Sequence, residues 1–135
     1  MGIQKRIDKQ KFSRLRQSLT LLSYEVKELI KLFFSDKSVI KGSVYELKRK
    51  CGKPGCKCTK GKLHSSMVLS SSEKGKTRLK VIPHGFLLEV KSKVQRYQKL
   101  RRSRRRLGEV QHKMLEVMDE MEAMRREEMP SGGKH

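Results

Sequence analysis

Three cysteines fall close together in this sequence, in the run Cys51-Gly52-Lys53-Pro54-Gly55-Cys56-Lys57-Cys58. The spacing is C-x4-C-x-C, and His64 follows six residues after Cys58. Thiolates and an imidazole are the ligands that tetrahedral structural zinc takes. Gly52, Pro54 and Gly55 let the backbone curl so that three thiolates can face one point. The neighbouring lysines offset the charge of a thiolate-rich site. The expected centre is therefore one structural Zn2+ held by Cys51, Cys56, Cys58 and His64, with His84 as the rival for the fourth position. Protein would then fill all four positions and leave none for a catalytic water. An odd number of clustered cysteines is not a disulfide framework, and the redox C-x-x-C spacing is absent.

The second chemistry is cationic. The chain carries 34 Lys and Arg against 14 Asp and Glu, a net charge of +20. The excess lies in residues 1–106, whereas 107–135 are mildly acidic. Lys48, Arg49, Lys53, Lys57, Lys60 and Lys62 crowd the cysteines. Lys74, Lys76, Arg78 and Lys80 follow, and then Arg101, Arg102, Arg104, Arg105 and Arg106 form a band. Such cations gain from phosphates mainly through counterion release. Arginine adds a fork that fits phosphate or a guanine edge. The expected ligand is thus a nucleic acid, either structured RNA or duplex DNA. With no Trp, four Phe and three Tyr, a stacking platform for single strands is not expected.

These groups need elements to position them. Phe12, Leu15, Leu19, Leu22, Val26, Leu29 and Phe33 alternate in steps of three and four, the seam of a helix that fills an N-terminal segment over 1–36. Residues 42–83 change character. Val44–Leu47, Ser66–Ser70 and Thr77–Ile82 read as short strands around the cysteine run, the last two joined by a turn at Gly75. In the last strand Arg78 and Lys80 alternate with Leu79 and Val81, which predicts one basic and one buried face. A long helix is expected over 85–129, opened by Pro83 and Gly85 and stopped by Pro130, before a disordered tail over 130–135. Its apolar stripe thins at the arginine band and resumes at Leu107, Val110, Met114, Val117, Met121 and Met124. The fold class is α+β: an antiparallel hairpin of two long helices with an inserted zinc knuckle and a small antiparallel sheet. In that hairpin residues near 14–20 would face 101–106 and join their cations into one belt.

The stretch from Val44 to Cys58, followed by Gly61-Lys62-Leu63-His64 and Gly75-Lys76-Thr77, resembles a family of small uncharacterised bacterial and archaeal proteins often met in mobile-element contexts. There a C-G-K-P-x-C-x-C knuckle precedes G-x-x-H-G-P, an aromatic-rich strand, a Gly-Lys turn, a basic strand and a long helix. The resemblance covers roughly 42–100. It implies Cys51, Cys56, Cys58 and His64 as one ligand set. This sequence departs after His64, where Ser65-Ser66-Met67-Val68 replaces Gly-Pro and aromatics.

Composition restricts function further. Charged residues make up 36% of the chain and hydrophobic ones 35%, too lean for an enzyme-style apolar pocket. No nucleophile motif, phosphate-binding glycine loop or carboxylate pair stands in the basic part, so an enzyme is not expected. The polar stretch Met1 to Gln10 lacks the apolar region of a signal peptide and no apolar run approaches membrane length, so with clustered thiols a reducing, cytoplasmic setting is expected. The resulting expectation is a nucleic-acid-binding accessory or regulatory factor of a larger nucleoprotein or mobile element. The alternative is a coiled-coil assembly protein whose charge faces an acidic protein. It would form a homo-oligomer, or dock a protein partner, through the stripe from Leu107 to Met124.

Overall fold

A computed structural model describes residues 6–49 and 64–131. The order is α1 (Lys9–Lys31), a 3-10 turn (Leu32–Phe34), β1 (Ser43–Arg49), β2 (His64–Glu73), β3 (Lys76–Val81) and α2 (Leu87–Arg125). This is an α+β chain with two helices and one three-stranded antiparallel sheet. It divides into two compact units, one of Met1–Phe34 with Ser103–His135, the other of Ser35–Arg102.

Helix α1 starts where a cap is available. The Asp8 carboxylate accepts hydrogen bonds from the amides of Gln10 and Lys11, both at 3.1 Å. Those amides have no partner within the helix, so the cap fixes the first turn at Lys9. No residue of α1 is fully buried. The core of this unit lies in α2, where Val110 is completely covered and Ser103 is buried.

The other unit holds the sheet, in the order β1-β2-β3. β2 pairs with β1 from Ser43↔Ser70 to Arg49↔His64, and with β3 from Val68↔Val81 to Glu73↔Lys76. The strands run longer than their apolar residues alone indicate, and β2 reaches Glu73. The β2–β3 turn is only Lys74-Gly75, both with positive φ (50° and 78°). That is the type I′ hairpin turn, whose twist matches the strands.

Gly42 has no alternative at the start of β1. Its φ is +138°, and a β-carbon there would lie 2.5 Å from the Ser70 carbonyl oxygen and 2.8 Å from Leu69 Cδ1. Its own carbonyl accepts from Gln98 Nε2 at 3.3 Å. Two more hydrogen bonds tie the preceding segment to α2. Ile40 N donates to Lys93 O at 3.2 Å, and Arg96 donates to the Ser38 carbonyl. Val68, Ile82 and Val94 form the buried apolar set here.

The buried face expected on β3 is not present. Every residue of β3 is exposed, Leu79 at 49% and Val81 at 57%. β3 is an edge strand with a neighbour on one side only, so burial is concentrated on central β2 at Val68.

Candidate nucleic-acid interface and metal site

The cysteine run connects the two paired strands β1 and β2. Cys51, Cys56, Cys58, Lys53, Lys57, Lys60 and Lys62 lie outside the described residues. Arg49 ends β1, His64 opens β2, and the two are register partners. Antiparallel partners stand roughly 5 Å apart at Cα. In sequence, Cys51 is two residues beyond Arg49, and the segment 50–63 links β1 to β2. His84 follows Val81, which pairs with Val68 towards the Arg49–His64 end of the sheet. Three thiols and an imidazole are, by donor chemistry alone, a set that structural zinc takes. Among the described residues, no cluster of three or more His, Cys, Asp or Glu could hold a metal.

The cations of the hairpin are sorted by the pleat. Lys76, Arg78 and Lys80 alternate along β3 and are all exposed. Residues i and i+2 share a face about 7 Å apart. Their partners are Glu73, Ser71 and Leu69, which places Lys48, opposite Ser65, on the same face. That face also carries Glu46, whose carboxylate accepts a hydrogen bond from Ser65 Oγ. Arg49 falls on the other face, opposite His64. Lys74 sits at the turn. No ion pair engages Lys48, Lys76, Arg78 or Lys80 among the described residues. β2 has ten residues, so the turn and the cysteine end are separated by about 30 Å.

The arginine band is not uniform. Arg101, Arg102, Arg104 and Arg105 are exposed. Arg106 is engaged. Its Nε and Nη2 donate to the two Glu25 carboxylate oxygens at 2.6 and 3.2 Å, and its Nη1 donates to Glu109 at 3.1 Å. Both carboxylates raise the Arg106 pKa further above its ordinary value, Glu25 most strongly. The hydrogen bonds from Arg106 hold the Glu25 carboxyl below the ordinary 4.5. One turn earlier, buried Ser103 donates from Oγ to the Leu29 carbonyl at 2.7 Å.

These contacts correct the expected alignment. Arg106 meets Glu25 and Ser103 meets Leu29, while Leu19 shares a groove with Met118 and Met121. Residues 14–20 therefore do not face 101–106, and the two cationic clusters do not join there. The seam is set by Ser103, Val110 and their heptad mates, not by the arginines. Sequence reasoning missed Ser103 and Glu25. Ser103 lies one heptad before Val110, which was the available signal.

Of the interface stripe on α2, Val110 is fully covered inside its own unit, while Leu107, Met114, Val117, Met121 and Met124 are half-buried. No helix among the described residues is long and apolar enough to cross a membrane.

Two helices, a three-stranded antiparallel sheet and a cysteine-bearing strand connection define a small basic α+β chain. It belongs to the DUF6788 family, a domain of unknown function, whose model matches residues 5–92. The match runs from before α1 into the first turns of α2 and so includes the whole sheet. Neither curated proteins nor solved structures gave a match.

Proposed function

We propose that the chain is a non-catalytic nucleic-acid-binding protein that grips the phosphate backbone. The observation that carries this reading is the row Lys76, Arg78 and Lys80: exposed, without ion pairs among the described residues, and evenly spaced along an edge strand. An edge strand with a neighbour on only one side can approach a ligand directly. Further exposed cations are Arg101 and Arg102 in the sheet unit and Arg104 and Arg105 in the helical unit, each pair taken by itself. Arg106 is assigned to holding the helices. The role is that of an accessory or regulatory factor, for which charge supplies affinity and other components supply chemistry.

Zinc bound by Cys51, Cys56, Cys58 and His64 is part of this reading. It would clamp the β1–β2 connection and hold Lys53, Lys57, Lys60 and Lys62 beside the sheet end. The bonded pairs Leu29–Ser103 and Glu25–Arg106, with Leu19 lining one groove with Met118, support an antiparallel helical hairpin, since one number falls as the other rises.

The test is affinity against salt concentration for a duplex DNA and a structured RNA probe. Replacing Lys76, Arg78 and Lys80 together by Gln should flatten the log–log slope on duplex DNA by about 2.7, three contacts at roughly 0.9 each. A slope equal to the wild type's would remove β3 from the interface. Weak binding of both probes with a shallow wild-type slope would overturn the function.

A further inference from the structure

The sheet has two edges, β1 and β3, and their side chains answer a further strand differently. An edge strand offers unpaired N–H and C=O groups to any extended chain, and cations along the edge are one way proteins prevent that pairing. β3 is guarded in this way. Set antiparallel against itself about Arg78, it would put Arg78 opposite Arg78 and Lys76 opposite Lys80. Moving the centre to Thr77 or Leu79 still sets cation against cation. Like charges directly opposite are destabilising.

β1 has no such guard. Its seven residues pair with β2 without interruption, so no bulge bends this edge away. Among the described residues, no main-chain hydrogen bond outside the ladders involves Ser43–Arg49. Glu46, Lys48 and Arg49 are exposed and have no ion pair among the described residues, and Tyr45 is 40% exposed. Glu46 accepts from Ser65 Oγ, and a carboxylate has room for further donors. Directly opposite residues of an antiparallel pair share a face, so a twofold axis between two copies of β1 must pass through a residue. About Leu47, Glu46 of each copy stands opposite Lys48 of the other. Tyr45 then stands opposite Arg49, a cation suited to the face of its ring. An axis at Glu46 or at Lys48 would set like charges against each other, and one at Tyr45 would give Glu46 only Val44. Nor does β1 suit β3 of another copy. In antiparallel alignment, wherever Glu46 meets Lys76, Arg78 or Lys80, Lys48 meets the cation two residues before it.

We infer that β1 is the interface of a twofold homodimer, in which two three-stranded sheets join antiparallel through Tyr45–Arg49 into one sheet of six strands. Main-chain hydrogen bonds supply the attraction, and two Glu46–Lys48 pairs select a second copy and fix its register. The same surface patch serves both subunits, as a closed twofold interface requires. The axis stands perpendicular to the sheet, so Lys76, Arg78 and Lys80 of both copies lie on one side, at the two outer edges. The dimer requires no nucleic acid, so it stands apart from the binding reading.

The experiment uses the full, tag-free chain, stripped of nucleic acid and checked by its absorbance ratio. Two chains of +20 repel, so the salt is set at about 0.15 M, where exposed charges more than about 8 Å apart are largely screened. Sedimentation equilibrium should then give twice 15.7 kDa. Glu46→Lys and Lys48→Glu should each sediment at 15.7 kDa with unchanged circular dichroism. Mixed in equal amounts, they should return to the doubled mass, because each supplies the sign the other lacks. Both substitutions in one chain should restore the dimer without a mixing partner, which a damaged fold would not do. A wild type that stays monomeric into the millimolar range, a dimer that survives both single substitutions, or a double variant that stays monomeric overturns the proposal.

Discussion

Arg106 stands in a band of arginines, yet it is held by two carboxylates while Arg101, Arg102, Arg104 and Arg105 are exposed. The distinction separates binding from folding at adjacent positions. Arg104→Glu with Arg105→Glu should weaken nucleic-acid binding and leave the melting temperature nearly unchanged. Arg106→Ala should lower the melting temperature and leave the salt slope nearly as it was. Parallel thermal melts and salt titrations check both. The pair with Glu25 also sets an acid response. The Glu25 carboxyl is held below its ordinary 4.5 by hydrogen bonds from Arg106. Folding therefore gains from this group above about pH 4.5 and loses the gain as pH falls through the lower folded value. Glu25→Gln should melt lower than wild type at neutral pH and show a flatter decline below pH 4.5. Identical acid profiles for the two proteins would place the acid response elsewhere.

At the scale of elements, the sheet depends on one backbone position, Gly42, and one buried side chain, Val68. Gly42→Ala would put a methyl group into the Ser70 carbonyl at a positive φ, and should cost roughly 1–3 kcal/mol in denaturant unfolding. Val68→Ala removes the most buried side chain of the sheet and should cost about 2 kcal/mol. Both helices and all three strands were legible from apolar spacing, because periods of 3.6 and 2 differ plainly over these lengths. The turn was legible at Gly75. What spacing did not reveal was which apolar residues find cover. Leu79 and Val81 alternate like core residues but belong to an edge strand, and edge position is decided by strand order. Likewise Phe12 to Phe33 form an unbroken seam, yet none of its members within α1 is buried. The helix alignment was missed because five arginines draw attention from Ser103, a small polar residue that lets α2 approach the Leu29 carbonyl.

The whole molecule is shaped by a net charge of +20 on 135 residues. Self-repulsion of that size opposes compaction and is relieved by polyanions. Added heparin should therefore raise the melting temperature, an increase that 1 M salt should largely erase if the contact is electrostatic. The cations and their division into a strand row and a helix band were legible in the sequence, while the separation of Arg106 from the band needed the fold. Removal of the proposed zinc would have its own signature, which follows from the pairing of Arg49 with His64. Holding those two ends together closes a loop of fourteen residues, 50–63. Loop closure of that length carries an entropic cost of about 2 kcal/mol beyond a constant. Whichever agent closes it first, metal or strand pairing, makes the other easier by the same amount. A chelator should then unzip the sheet from a defined end. Amide hydrogen exchange should accelerate first at Leu47–Arg49 and Ser65–Met67, while Ser70–Glu73, beside the Lys74-Gly75 turn, stays protected. The connection would act as a latch whose release can be read amide by amide along β1 and β2.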